Sequence, residues 1–71
     1  MLTDEYLRNR CKLIKAIGQV ESYIELAEMI DIKRKSFYNW LRGEYDLSNS
    51  KKTLLNDILN DLWIDDINLY I

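Results

Sequence analysis

The chain has 71 residues, 48% hydrophobic and 31% charged, with a net charge of −2 at pH 7. That length confines it to one small domain with a modest core, and the balance of apolar to charged residues excludes a disordered chain. It has no histidine and one cysteine, Cys11, so the commonest general base and metal ligand is missing and no internal disulfide can form.

Thr3 is placed to cap a helix whose first turn carries Asp4 and Glu5, where carboxylates suit the helix dipole. Leu7, Cys11, Ile14 and Ile17 then recur at spacings of three and four, and Gly18 can close the run. The spacing predicts a first helix over 4–17, with Cys11 as a small core residue. Ser22 and Glu25 form a capping-box pattern ahead of Leu26, Ala27 and Ile30, which predicts a second helix over 23–30. Asp31 stands where a glycine would be expected, in a turn that needs left-handed backbone, and Ile32 must face inward beyond it.

A third helix is predicted over 33–42, ending at Gly43. Its start is poorly capped, because lysine offers no side-chain acceptor. Lys33, Arg34 and Lys35 also sit at the helix end where cations are disfavoured, by about 0.3–1 kcal/mol each. A sequence that breaks a local rule often does so for function. Leu47 is the apolar anchor of the loop that follows. A fourth helix starts at Ser48 or Ser50 and carries Leu54, Leu55, Ile58, Leu59 and Leu62, with Lys51 and Lys52 in its first turn. The tail "WIDDINLYI" fits either a fifth helix or a short strand. The fold class is therefore all-α, one domain of four to five short helices.

Charge is unevenly spread. Residues 1–20 carry +2, residues 21–32 carry −4, residues 33–52 carry +4 and residues 53–71 carry −4. One basic segment therefore stands out on an acidic chain. Asp57, Asp61, Asp65 and Asp66 could gather round a divalent cation, but the helical spacing of the first two reads more simply as a solvated face. No nucleophile–base pair is evident, so catalysis, a cofactor, a metal and a small-molecule ligand are not implied. No apolar run approaches the roughly 18 residues of a membrane span, and "MLTDEYLRNR" lacks the apolar stretch of a signal peptide. With one unpaired cysteine, these features predict a cytoplasmic protein.

The stretch "YIELAEMIDIKRKSFYNWLRGEYDLSNSKKTLLNDILNDL", a little over half the chain, resembles the helix-turn-helix domain of the Cro/repressor (XRE-like) family. Leu26-Ala27 matches the core of the first motif helix, and Ile30 and Ile32 match the apolar pair flanking the turn. Phe37 and Trp40 match the core of the recognition helix, "WLRG" its ending, and "TLLNDILNDL" the Leu-rich helix after it. Three positions depart from the pattern: Asp31 for glycine, Lys33 for a serine or threonine cap, and Leu41 where glutamate is frequent. The resemblance implies a lambda-repressor-like core that binds double-stranded DNA and regulates transcription.

At about 100° per residue, Phe37, Trp40 and Leu41 fall on one stripe of the third helix, and Tyr38, Arg42, Lys35 and Asn39 fall opposite, with Arg34 beside them. Arginine and lysine suit guanine and asparagine suits adenine, so Arg34, Lys35, Tyr38, Asn39 and Arg42 are the candidate base contacts in a major groove. Ser36 falls toward the neighbouring helix. Ser22, Tyr23, Lys33, Lys51 and Lys52 are the candidate phosphate contacts, the last two because backbone N–H groups at a helix start already favour an anion.

One recognition helix reads too few base pairs to be selective, and two copies would read half-sites about 34 Å apart. Trp63, Ile64, Ile67, Leu69, Tyr70 and Ile71 crowd apolar surface into the tail, which predicts a homodimer joined there. The tail's other use is to complete the monomer's own core. The expected function is a small sequence-specific DNA-binding regulator of the phage-repressor or Cro kind. The alternative is a protein-binding module on the same fold, such as a phage or bacterial inhibitor or antirepressor, which the acidic balance and acidic, aromatic tail would suit. The bias toward Ile, Asn, Lys and Leu points to an AT-rich bacterial or phage genome.

Overall fold

Thr3 lies in extended backbone and its hydroxyl accepts the Tyr6 N–H at 3.1 Å, which satisfies one of the free donors at a helix start. The helix it opens, α1 (Asp4–Ala16), is followed by α2 (Tyr23–Met29), α3 (Arg34–Leu41) and α4 (Asn49–Leu62). The structure is a computed structural model that describes residues 2–63, and among these there is no strand. The all-α architecture and the four expected helices are present, with ends that differ by a residue or so from the periodicity, the usual scatter of helix termini.

Three helices end in the same way. After α1, Gly18 turns left-handed (φ 84°), its N–H bonds the Lys15 carbonyl, and the Gln19 N–H reaches back to Ile14. After α3, Gly43 (φ 82°) does the same, with bonds from Gly43 to Trp40 and from Glu44 to Asn39. After α2 the left-handed position falls to Asp31 (φ 57°), with bonds from Asp31 to Glu28 and from Ile32 to Ala27. Each pair of bonds is a Schellman closure, which satisfies carbonyls the helix leaves open. Aspartate holds the glycine position because its short polar side chain tolerates that backbone region better than most. The closure also turns Ile32 back against the core.

The capping box at α2 differs from expectation. Ser22 is fully extended (φ −151°, ψ 163°) and its hydroxyl makes no cap bond. Glu25 reaches one residue further upstream and accepts the Glu21 N–H at 2.9 Å. At α4 the choice falls on Ser48, whose hydroxyl accepts the Lys51 N–H at 3.3 Å.

The core is assembled from Leu7, Cys11 and Ile14 of α1, Leu26, Ala27 and Ile30 at α2, Phe37 and Trp40 of α3, and Leu55 and Leu59 of α4, with Val20 and Leu47 from the loops. Helix α4 lies along α1, and α3 packs on α2. Ala27 is 1% exposed, so its small side chain serves the close approach of those two helices. The periodicity overstates α4: Leu54 is 40% exposed and Ile58 only half-buried. It misses Val20, which belongs to no helix and so to no period. Tail positions 64–71, including Ile64, Ile67, Leu69, Tyr70 and Ile71, and the choice between helix and strand there, lie outside the described residues.

Candidate nucleic-acid interface

Helix α3 is held by its inward face. Phe37 and Trp40 are fully buried and their rings meet at 5.4 Å. A buried indole needs an acceptor for its N–H, and Trp40 Nε1 donates to Asp4 Oδ1 at 2.7 Å. The same oxygen accepts the Leu47 N–H at 3.0 Å, and Asp4 Oδ2 pairs with Lys52 Nζ at 3.0 Å. Arg8 donates from Nε to the Trp40 carbonyl at 2.5 Å and lies over the Trp40 ring. One carboxylate and one guanidinium from α1 thus fix the end of α3, the loop after it and the start of α4. Burial pushes the Asp4 carboxyl up, but the bonds from Leu47, Trp40 and Lys52, with the Lys52 charge, outweigh it and hold the group below its ordinary 3.8.

The outward face of α3 has a different character. The side chains of Lys33, Arg34 and Lys35 are exposed and make no hydrogen bond or ion pair among the described residues. The α3 start has no side-chain cap, so these three cations stand beside open backbone donors. Tyr38 is 36% exposed, with its ring edge-on to Tyr23 at 6.0 Å. Asn39 is half-buried, and its Oδ1 accepts a bond from Arg42. Arg42 also pairs with Glu44 at 3.1 Å. An amide oxygen has two lone pairs, so Asn39 Oδ1 keeps one acceptor position beside the Arg42 bond. Ser36 is half-buried.

The candidate phosphate contacts divide. Lys51 Nζ donates to the Ile30 carbonyl at 2.6 Å and lies 3.5 Å from that of Asp31, where it caps the end of α2. Lys52 is taken up by Asp4, with side chains only 18% and 12% exposed. Both ammonium groups therefore act inside the fold, bracing α4 against the α2–α3 turn and against α1. Tyr23 is half-buried between Phe37 and Tyr38, with ring centroids at 6.3 and 6.0 Å. Burial, with the neighbouring Cys11 and Tyr38, pushes its phenol up, so it stays a neutral O–H donor. Ser22 is half-buried with its hydroxyl free of any cap bond.

Of the interface candidates in the tail, Trp63 alone is described. It is half-buried, packs on the monomer's own core and lies under the Arg10 guanidinium at 5.6 Å. Arg10 donates to Asn56 and Asn60 at 2.9 Å each and also covers Tyr6. Tyr6, Asn9, Arg10, Leu13, Asn60 and Trp63 line an open groove of about 500 Å³ between α1 and α4. Cys11 is fully buried and desolvation raises its thiol to about 12, so it is not a thiolate at neutral pH. Among the described residues no group of three or more His, Cys, Asp or Glu is placed to hold a metal, and no helix is long and apolar enough to cross a membrane.

Sequence reasoning missed Asp4, Arg8 and Arg10 as organisers. Asp4 reads locally as a dipole-favoured first-turn residue; its partners are 36 to 48 positions away. The one available signal was the question of where a core tryptophan's N–H would go. Comparison with protein families, curated proteins and solved structures finds no match for this chain.

Proposed function

We propose that this chain is a small sequence-specific DNA-binding regulator of transcription, of the Cro/repressor kind, which inserts α3 into the major groove. The observation that carries this reading is the contrast within α3. Its inward side is pinned at Phe37 and Trp40, while Lys33, Arg34 and Lys35 project without an intramolecular partner among the described residues. Uncompensated cations beside open backbone N–H groups form a surface suited to an anion, and a rigidly seated helix is what major-groove reading requires. Tyr38, Asn39 and Arg42 extend that surface along the helix.

Selection of bound sequences from random DNA tests the reading. The expected outcome is enrichment of a half-site or an inverted repeat. Flat output at low salt overturns it. Lys35→Ala or Asn39→Ala should leave the melting temperature nearly unchanged and weaken specific binding by roughly 1–3 kcal/mol. The working form proposed is a homodimer joined through residues 63–71. Sedimentation at micromolar concentration checks this, and a monomer that stays monomeric on DNA rejects it.

The groove between α1 and α4 favours a second reading, a protein-binding module on the same scaffold. It exposes Tyr6 (49%) beside Trp63 and the Arg10 guanidinium, and amphipathic aromatic surface of this kind suits a protein partner. Tyr6→Ala separates the two readings, because it alters the groove and leaves α3 untouched.

A further inference from the structure

Two lysines expected to hold phosphate, Lys51 and Lys52, act inside the fold. Another cation reaches the α3 surface from an unexpected direction. Lys15, in the last turn of α1, is exposed and carries its ammonium 5.4 Å from the centre of the Tyr23 ring. That ring in turn meets Tyr38 edge-on, and Tyr38 lies on the outward face of α3, one turn from Arg34 and Arg42. Lys15, Tyr23 and Tyr38 therefore form a continuous strip from α1 across the start of α2 to α3. Lys15 makes no ion pair with a carboxylate among the described residues.

We propose that Lys15, seated over Tyr23, is a phosphate contact at the edge of the α3 surface, and that it supplies the backbone grip that α4 does not. The proposal rests on the DNA-binding reading of α3. An aromatic face attracts the ammonium and limits where it can go, so the charge is positioned before DNA arrives. The ammonium is then the donor to a backbone phosphate. Contacts of this class set the register of a protein on the duplex and carry no sequence information. Lys15 should therefore influence all sequences alike, unlike Asn39.

A simpler role for Lys15 is to offset the dipole at the end of α1. That role predicts a loss of melting temperature and no change in salt dependence. The test is titration of the parent chain, Lys15→Met, Lys15→Arg and Lys35→Ala with a short mixed-sequence DNA duplex, at salt from roughly 50 to 200 mM, with melting temperatures recorded alongside. Methionine keeps an unbranched apolar stem against Tyr23 while removing the charge, so the variant should remain folded. The expected result is a fall of about 0.9 in the slope of log affinity against log salt for Lys15→Met, with about eightfold weaker binding at 0.1 M salt. Lys15→Arg should keep the parent slope. If Lys35→Ala weakens binding while Lys15→Met leaves slope and affinity unchanged, the Lys15 contact is wrong and the α3 reading stands. If the parent does not bind the duplex even at the lowest salt, both fall together.

Discussion

Helices α3 and α4 begin alike and end up serving different purposes. Each opens with adjacent cations, Lys33, Arg34 and Lys35 in one and Lys51 and Lys52 in the other, at the helix end where positive charge is unfavourable. In α4 the difficulty is resolved internally. Ser48 caps the start, Lys51 donates to the end of α2, and Lys52 pairs with Asp4. In α3 nothing among the described residues resolves it: the start is uncapped and the three cations face solvent. A cationic first turn is therefore not by itself a mark of anion binding. What separates the two is whether the fold supplies a counter-group.

The contrast depends on which side of α3 faces inward, and Phe37 tests that with the largest effect. Its side chain is fully buried against Trp40 and Tyr23. Phe37→Ala should destabilise the domain by about 3–5 kcal/mol, enough to unfold much of so small a protein. Denaturant melts read this directly. A variant that melts like the parent would place the core on the other side of α3 and reverse the outward set.

Asp4 is the counter-group that α3 lacks and α4 has. Asp4→Asn removes the charged acceptor shared by the Trp40 indole, the Leu47 N–H and Lys52, and should cost about 2 kcal/mol. The pH dependence follows from its depressed carboxyl. A group held below its ordinary 3.8 in the folded state contributes stability that is fully present above that value and is lost as pH falls through the lower folded value. The stability gap between the parent and Asp4→Asn should be constant near neutrality and should narrow in acid below about pH 4. A gap that persists unchanged into strong acid would mean that the Asp4 charge does not stabilise the fold.

Much of this fold was legible in the chain because it is built from local signals. Thr3, Gly18, Asp31 and Gly43 mark helix ends through backbone preferences that one residue can express. Leu7, Cys11 and Ile14 mark a face by spacing alone. Which side of α3 turns outward was legible for the same reason. The fate of the cations was not. Lys52 meets a residue 48 positions earlier and Lys51 a carbonyl 21 positions earlier, and no spacing rule links such pairs. Lys15 was hidden differently: it reads as an ordinary last-turn lysine until α2 brings Tyr23 beneath it.

Paired substitutions put the comparison of the two helix starts to direct test. Lys51→Ala with Lys52→Ala should lower the melting temperature and leave the salt dependence of DNA binding almost unchanged, since both ammonium groups are already engaged. From sequence alone the expectation is the opposite, a slope reduced by about two. Lys33→Ala with Arg34→Ala and Lys35→Ala should preserve or slightly raise the melting temperature. The same triple change should reduce the slope, by up to about 0.9 for each phosphate that is no longer neutralised. Equal behaviour of the two sets would erase the distinction between α3 and α4.

The smallest expected effect isolates the missing cap. Lys33 occupies the N-cap position of α3 in extended backbone (φ −69°, ψ 146°), the geometry a serine would need to accept an N–H two or three residues on. Its side chain is exposed and unpartnered among the described residues, so replacement disturbs no packing. Lys33→Ser therefore supplies an acceptor for one open donor and removes one cation from the unfavourable helix end. Both changes act in the same direction, and the gain should be about 1 kcal/mol in stability. Binding should move the other way, because the cap occupies an N–H and the missing ammonium no longer meets a phosphate. A chain that becomes more stable while gripping DNA less firmly would show that α3 keeps its start open for a ligand. A variant that gains stability with its affinity and salt slope intact would instead make Lys33 an uncapped residue with no part in binding.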